Sequence, residues 1–374
     1  MTPMIPVMKP WFGPEEEVAV AAAVASGWVA QGPRVAEFEQ AFAARMGAAH
    51  GVATSSCTTA LHLALVLAGV GPGAEVVVPS LSFIATANAV RYVGGTPVFA
   101  DVDAATGNIT AKTVAAVITP RTRAVIAVHQ GGVPADVNEI RAECDPLPVI
   151  EDAACAAGST YRGRPVGADA AVAAWSFHPR KLLTTGEGGM LTTNDPEWAR
   201  RARRLREHGM SVSAADRHRT RRVVIEEYLE TGFNYRMTDM QAALGLVQLS
   251  RLDAMIARRR ALAARYQELL AAVPRLVTVR DPAHGTTNYQ SFWVVLPDGY
   301  PLGRDALLQR LADHGISARR GIMAAHLEPA YARAGGDLPV TEWLTGRSLI
   351  LPLFHQLTEA DQDRIVAVIA EAAV

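Results

Sequence analysis

The sequence predicts an α/β protein: a large, mostly parallel sheet covered by helices, followed by a smaller C-terminal α+β domain. Two observations carry this. Short β-branched apolar stretches alternate with helical ones through the first two-thirds of the chain, as expected of parallel strands buried on both faces. From Thr238 that alternation stops, and one long helical run to about Leu270 replaces it. The length, 374 residues, allows two domains with a large core. The expected division is 1–245 and 246–374, with the long helix joining the two.

In order, Leu61 to Ala68 reads as a helix behind a Ser/Thr cluster, Glu75 to Pro79 as a strand and Ala85 to Tyr92 as a helix. Thr96 to Val102, Ala124 to His129, Leu147 to Asp152, Ala171 to Phe177 and Gly189 to Thr193 read as further strands. Beyond the long helix come a strand at Phe292 to Leu296, a helix at Arg304 to His314 and a last helix at Glu359 to Ala373. Internal repeats and low-complexity linkers are absent from the sequence.

Composition narrows the function. Hydrophobic residues make up 49% and charged residues 20%, which indicates a soluble globular protein. A net charge of −1 lacks the basic excess of a general nucleic-acid binder. Met1 to Pro10 holds three prolines and no apolar run, so neither a signal peptide nor a membrane span is expected. Cys57, Cys144 and Cys155 are odd in number and lack metal-ligand spacing, which reads as reduced thiols in a cytoplasm.

The chain has three lysines, Lys9, Lys112 and Lys181, against 33 arginines. Arginine keeps its proton at neutral pH and cannot attack a carbonyl, whereas lysine can once its pKa is lowered. Lys9 lies near a terminus and Lys112 in a polar stretch. Lys181 sits in Trp175-Ser176-Phe177-His178-Pro179-Arg180-Lys181-Leu182-Leu183-Thr184-Thr185-Gly186-Glu187-Gly188-Gly189, where small and hydroxylated residues suit a covalently held ligand close to the backbone.

Ligands of open α/β sheets bind beyond the carboxyl ends of the strands, and three groups fall there. Ser55-Ser56-Cys57-Thr58-Thr59 precedes a helix, whose free first-turn N–H groups and dipole favour an anion. Ser and Thr also cap helices with no ligand present. Asp152, in Ile150-Glu151-Asp152-Ala153-Ala154, ends a strand and can pair with a cationic ring nitrogen, or cap a helix. Lys181 completes the set, with Ser176 five residues before it and His178 between them. One ligand accounts for all three groups: pyridoxal 5′-phosphate. The cradle would hold its phosphate with help from Ser176, Asp152 its ring nitrogen, and Lys181 its aldehyde as a Schiff base. Phe83 offers a flat face to stack on the ring.

Read together, the chain resembles the DegT/StrS family of pyridoxal phosphate-dependent sugar aminotransferases. The resemblance runs from about Gly27 to Leu357 and rests on five markers: Ser26-Gly27-Trp28-Val29-Ala30-Gln31-Gly32-Pro33, the Ser55 to Leu61 cradle, Glu151-Asp152-Ala153-Ala154, the Ser176 to Gly189 segment, and Gly232-Phe233-Asn234-Tyr235-Arg236-Met237-Thr238-Asp239-Met240-Gln241-Ala242-Ala243. It implies the aspartate aminotransferase fold (fold type I) and a homodimer with shared sites. In that dimer Asn234 would reach the phosphate in the neighbouring subunit, with Arg236 close by. Cys155 occupies a position, usually Gln or His, beside the cofactor's ring hydroxyl. Cys57 stands where many relatives have Gly. Trp28, Arg320 and His326 are candidates on the substrate side.

The expected reaction is a ping-pong transamination from L-glutamate or L-glutamine to a nucleotide-linked keto-deoxysugar, with Lys181 as proton carrier. A keto-cyclitol acceptor and a non-catalytic regulatory role are the alternatives. The stretch Arg217-His218-Arg219-Thr220-Arg221-Arg222 offers guanidinium forks to a diphosphate, or is a solvated loop. Arg200 to Arg206 reads as an exposed helix face. A nicotinamide site is disfavoured, because the sequence has no Gly-x-Gly-x-x-Gly turn after an early strand.

Overall fold

The structure is a computed structural model that describes residues 4–213, 223–333 and 335–373. The 217–222 arginine stretch therefore lies outside the described residues.

Strands β1 (His50–Thr54), β2 (Glu75–Pro79), β3 (Thr96–Ala100), β4 (Thr122–Val128) and β5 (Val149–Asp152) fall close to the ranges expected from the sequence where these were predicted. Short strands β6 (Thr160–Tyr161) and β7 (Arg164–Pro165) follow, then β8 (Val172–Ser176) and β9 (Gly189–Thr193). The seven-stranded sheet has the order β1-β9-β8-β5-β4-β2-β3. Only β9 runs against its neighbours.

The alternation of side chains along the strands explains why this sheet is apolar throughout. Val77, Val125 and Ala127 pack into one core cluster, whereas Val76, Val78, Ala124 and Ile126 pack into another. Successive residues point to opposite faces, and both faces are covered. The helices α1 (Pro14–Ala25), α2 (Pro33–Arg45), α3 (Cys57–Leu67), α4 (Ala85–Tyr92), α5 (Ala111–Ala115), α6 (Val137–Cys144) and α7 (Pro196–Leu205) belong to this part of the chain. The sequence reading does not anticipate α1, because the helix buries only Glu16 and Ala23 and so has almost no apolar stripe.

The long helix expected from Thr238 to Leu270 is two helices, Asp239–Ser250 and Leu252–Leu270. At the break the Arg251 N–H bonds Gln248 O, three residues back, and the Ser250 hydroxyl bonds Val247 O. The Arg251 side chain is pulled aside to Glu15 and Glu16, over the Trp11 ring. The first helix packs on α1 and α2, the second on the C-terminal helix Glu359–Glu371. Different packing partners on either side of Arg251 decide what helix periodicity could not.

A four-stranded antiparallel sheet, β10-β12-β14-β13, comprises Val277–Thr278 (β10), Phe292–Val295 (β12), Ser348–Leu351 (β14) and Arg319–Arg320 (β13). Strand β11 (Gly285–Thr286) joins β6 and β7 in a small third sheet. No helix of the described residues is long and apolar enough to cross a membrane.

Arg200 to Arg206 is only partly an exposed face. Arg200 is exposed, but Arg204 pairs with Glu230, and Arg206 is buried against Glu39 and the Ala53 carbonyl. A buried arginine holds its place here through a carboxylate partner, as a desolvated charge requires.

Candidate active site

The cradle is built from the start of α3. Ser56 is its N-cap, and its hydroxyl accepts the Thr59 N–H at 3.2 Å, while the Thr59 hydroxyl accepts the Ser56 N–H at 3.1 Å. This reciprocal cap spends the Ser56 side chain on the helix. The Cys57 and Thr58 N–H groups at the first two helical positions are left without an acceptor among the described residues. Two orphan donors at a helix N-terminus suit an oxyanion. Thr54 pairs with Gly189, and a Cβ on Gly189 would collide with the Ser56 and Cys57 backbone. A residue with no side chain lets β9 approach the cradle. The Ser55 N–H bonds Tyr235 O at 2.8 Å, which brings the Asn234–Arg236 segment alongside. Within one chain the Asn234 side chain is exposed and that of Arg236 half-buried.

At the end of β5, strand alternation sends two adjacent acids to opposite faces. Glu151 is structural: it bonds His129 at 3.1 Å, the Gly167 N–H at 3.0 Å and Arg141. Asp152 faces the site, accepting the Thr86 hydroxyl at 3.0 Å and the Ala154 N–H at 3.2 Å. Thr86 is held in turn by Ser82 at 2.9 Å. Loss of solvent pushes the Asp152 carboxyl up, against the pull of the Ala154 N–H, Thr86, Lys181 and His129. Phe83, one residue after Ser82, is 69% exposed and leaves its ring face open.

The Lys181 segment leaves β8 through Ser176. Phe177 is buried against Phe38 and Phe42, both at 5.1 Å, so Ser176 and His178 turn the other way. The His178 N–H points at Ser176 Oγ at 3.5 Å. Burial, and after it the positive charges of Arg180, Lys181 and Arg319, push the His178 ring down despite Glu187.

The Gln290 side chain brackets Lys181, accepting the Leu182 N–H and donating to Arg180 O, both at 2.7 Å. Arg259, buried in the helix Leu252–Leu270, donates to Tyr289 O and Gln290 O and so fixes Gln290. Neither residue stands out in the sequence, since a lone Gln and an arginine in an arginine-rich helix carry no motif.

Lys181 Nζ lies 3.0 Å from Cys155 Sγ. Loss of solvent pulls its ammonium down, but Cys155, Cys57 and Asp152 outweigh this and hold it above its ordinary value. Burial pushes the Cys57 thiol well up, and the Asp152 charge adds to it. Ser56, Cys57, Asp152, Cys155, Ser176 and Lys181 are thus brought to one end of the sheet.

Three substrate-side candidates are placed elsewhere. Arg320 turns to Glu328, and its strand neighbour Arg319 faces the Lys181 cavity instead; adjacent strand residues cannot share a face. His326 is buried, with one ring nitrogen on Ser80 Oγ at 2.6 Å and the other on Glu342 at 3.3 Å. It ties the loop after β2 to the helix Pro339–Arg347. Trp28 packs against Gly32 and does not line the Lys181 cavity.

A deeply buried carboxylate, an adjacent lysine and an oxyanion-ready helix start on an α/β sheet are the parts an aminotransferase needs. The chain belongs to the DegT/DnrJ/EryC1/StrS aminotransferase family, whose model matches residues 12–370. Among solved structures, it is 39% identical to the aminotransferase TlmJ from Streptoalloteichus hindustanus, with a TM-score of 0.91 over 99% of this chain and 98% of that one. It is 32% identical to DesI, solved in the presence of its TDP-sugar product, with a TM-score of 0.89 over 100% and 93%. The sugar aminotransferase Spr1654 from Streptococcus pneumoniae, solved in PLP and PMP forms, is 26% identical, with TM-scores of 0.92 and 0.93, each over 99% of this chain and over 98% and 99% of that one. The fold is accordingly that of fold type I aminotransferases.

Proposed function

We propose that this aminotransferase uses pyridoxal 5′-phosphate to move an amino group from L-glutamate or L-glutamine to a keto group of a nucleotide-linked deoxysugar in the cytoplasm. The observation that carries the reading is the meeting of Lys181, Asp152 and the free Cys57 and Thr58 N–H groups at one end of the sheet. The cofactor fits these residues: two orphan donors for its phosphate, a buried carboxylate for its ring nitrogen and an amine for its aldehyde. When bound, it supplies an electron sink for the substrate carbon that loses its proton.

Each residue then has a task. The N–H groups of Cys57 and Thr58, with Ser176, bind the phosphate. Asp152, dry and braced by Thr86, keeps a proton on the ring nitrogen. Phe83 covers one ring face. With the cofactor bound, the Lys181 amine would be the group placed to take a proton from the donor Cα and to give it back. Gln290 holds the Lys181 backbone while the side chain swings. Cys155 and His178 flank the amine. Asn234 and Arg236 complete the phosphate site of a second copy in a homodimer. The family membership, the TDP-sugar product of DesI and the PLP and PMP forms of Spr1654 support this reading.

Borohydride reduction of the cofactor-saturated protein, followed by peptide mapping, should place the adduct on Lys181 alone. Lys181→Ala should lose the absorbance of lysine-bound cofactor and at least about 10³-fold of turnover. An adduct on another residue, or full activity in the variant, refutes the proposal.

A further inference from the structure

Among the described residues the Lys181 amine has one hydrogen-bond partner, the Cys155 sulfur at 3.0 Å. The contact is fixed from both sides. Asn288, fully buried, donates to Cys155 O at 2.9 Å, and the Gln290 side chain accepts the Leu182 N–H at 2.7 Å. The Gln290 N–H bonds Asn288 Oδ1 at 2.8 Å, so one short stretch of chain holds the backbone under the thiol and under the amine. Cys155 and Lys181 line a cavity of about 190 Å³ together with Arg180, Arg259 and Arg319. Arg180 and Arg319 are exposed, so the cavity reaches solvent. It is several times the roughly 30 Å³ that a water molecule occupies, and hydrogen peroxide is little larger than water.

The other two thiols are placed differently. Cys144 is 2% exposed in α6, and burial pushes it up to about 11, with the Glu143 charge adding to this. Burial pushes Cys57 well up. A thiol pushed up in this way holds little of the thiolate that reacts with oxidants. Of the three, Cys155 has the amine within hydrogen-bonding distance.

We propose that Cys155 is a site of peroxide modification, and that in the cofactor-free protein its oxidised sulfur captures the Lys181 amine as a sulfenamide. That the captured amine is the one that carries the cofactor rests on the transamination reading above.

Two steps balance the atoms. The Cys155 thiolate attacks one oxygen of hydrogen peroxide. The S–O bond forms, the O–O bond breaks, and sulfur gives up two electrons. The departing hydroxide takes a proton from the Lys181 ammonium and leaves as water. A neutral amine now faces a sulfenic acid. The amine attacks sulfur, the S–N bond forms and the S–O bond breaks, and the second hydroxide leaves as water with a proton from nitrogen. Oxidation also prepares the amine. Burial pulls the Lys181 ammonium down, and the Cys155 charge is the foremost influence holding it up; once that charge is gone, burial favours the neutral form. Two thiols reverse the link. The first breaks the S–N bond, returns the amine with its proton and leaves a mixed disulfide, and the second frees Cys155. While joined, the sulfur is kept from further oxidation to the irreversible acids. With cofactor held on Lys181 the amine is occupied and the link cannot form.

The test treats cofactor-free protein and holoenzyme with hydrogen peroxide and reads both by peptide mapping without reductant. Cofactor-free wild type should give a species two hydrogens lighter, with the Cys155 and Lys181 peptides joined. Its uptake of pyridoxal 5′-phosphate, read as the absorbance of lysine-bound cofactor, should fall at least about tenfold and return with dithiothreitol. Holoenzyme should stay unlinked. Cys155→Ser, compared with its own untreated sample, should keep its uptake after peroxide. Cys57→Ser should form the link as wild type does. Far-ultraviolet circular dichroism checks that both variants fold, and the mapping of wild type needs neither. A Cys57–Cys155 disulfide overturns the proposal. So does a Cys155 that stays unmodified or passes straight to the irreversible acids, or uptake lost equally in Cys155→Ser. Failure of the transamination reading shows differently, as untreated wild type that takes up no cofactor on Lys181; the mapping still decides whether sulfur and amine join.

Discussion

The two ends of this site are built on opposite plans. The cradle end is local: within Thr54 to Thr59 the chain closes its own helix cap and leaves two backbone donors free. Its chemistry is main-chain, so side-chain identity matters little, and Cys57 stands there without disturbing the cap. The arginine end is assembled from a loop, a strand of the second sheet and a long helix, and its chemistry is all side-chain. Contiguous backbone donors tolerate substitution, while a cluster of scattered guanidinium groups depends on each of them and on how the sheets dock. Lys181 and Asp152 lie between the two ends.

The largest effect should come from that middle. Asp152→Asn should lower turnover by about 10²–10³-fold, because the ring nitrogen loses the charge that keeps it protonated. The same change should stabilise the cofactor-free protein. Folded Asp152 binds its proton more tightly than the unfolded chain does. Its carboxyl is therefore harmless below the ordinary value near 4 and destabilises the fold as pH rises through the raised folded value. Cofactor-free Asp152→Asn should melt above cofactor-free wild type at pH 7, and the gap should close as pH falls toward 4. A lower melting temperature at pH 7 would contradict the buried-charge account.

Next is Gly189→Ala, the point where the cradle stops being tolerant. The added methyl meets the Ser56 and Cys57 backbone, which has no flexible side chain to yield. Overpacking of about 1–3 kcal/mol and at least tenfold weaker cofactor binding are expected, measured by chemical denaturation and cofactor titration. Unchanged affinity would show that the strand approach is not what shapes the cradle.

Gln290→Ala tests the other plan. It strips partners from Arg180 O and the Leu182 N–H on either side of Lys181, which is worth about 1–3 kcal/mol where solvent is excluded. A fall in kcat with KM for glutamate little changed is expected if Gln290 positions the lysine. A pure loss of stability with normal kcat would make it a packing residue only.

The smallest effect belongs to Ser56→Ala. Losing the cap hydroxyl should remove about 1 kcal/mol of stability, while the Cys57 and Thr58 N–H groups keep most of the cofactor affinity. A collapse of affinity would mean that the hydroxyl itself binds phosphate.

Much of the fold and part of the site were legible in the residues. Parallel strands announce themselves as Val-rich runs, and β2 falls where its run predicts it. Helices without an apolar stripe, such as α1, gave no such signal. Lys181 stood out in the sequence because its amine is rare in this chain, and the structure brings it to the same end of the sheet as Asp152 and the start of α3. Arg319 could not be told from Arg320 without the register of β13 against β14, which decides the face of each. His326 looked like a ligand group by type, yet both ring nitrogens are taken by Ser80 and Glu342.

By itself the chain order determined the positions of most strands and the helix cap, since each depends on residues a few positions apart. Tertiary structure alone decided the break at Arg251, the clamp of Gln290 on Lys181 and the gathering of three guanidinium groups in one cavity. Those features depend on contacts between residues as far as 108 and 236 positions apart, and local periodicity and propensity hold no record of such pairings.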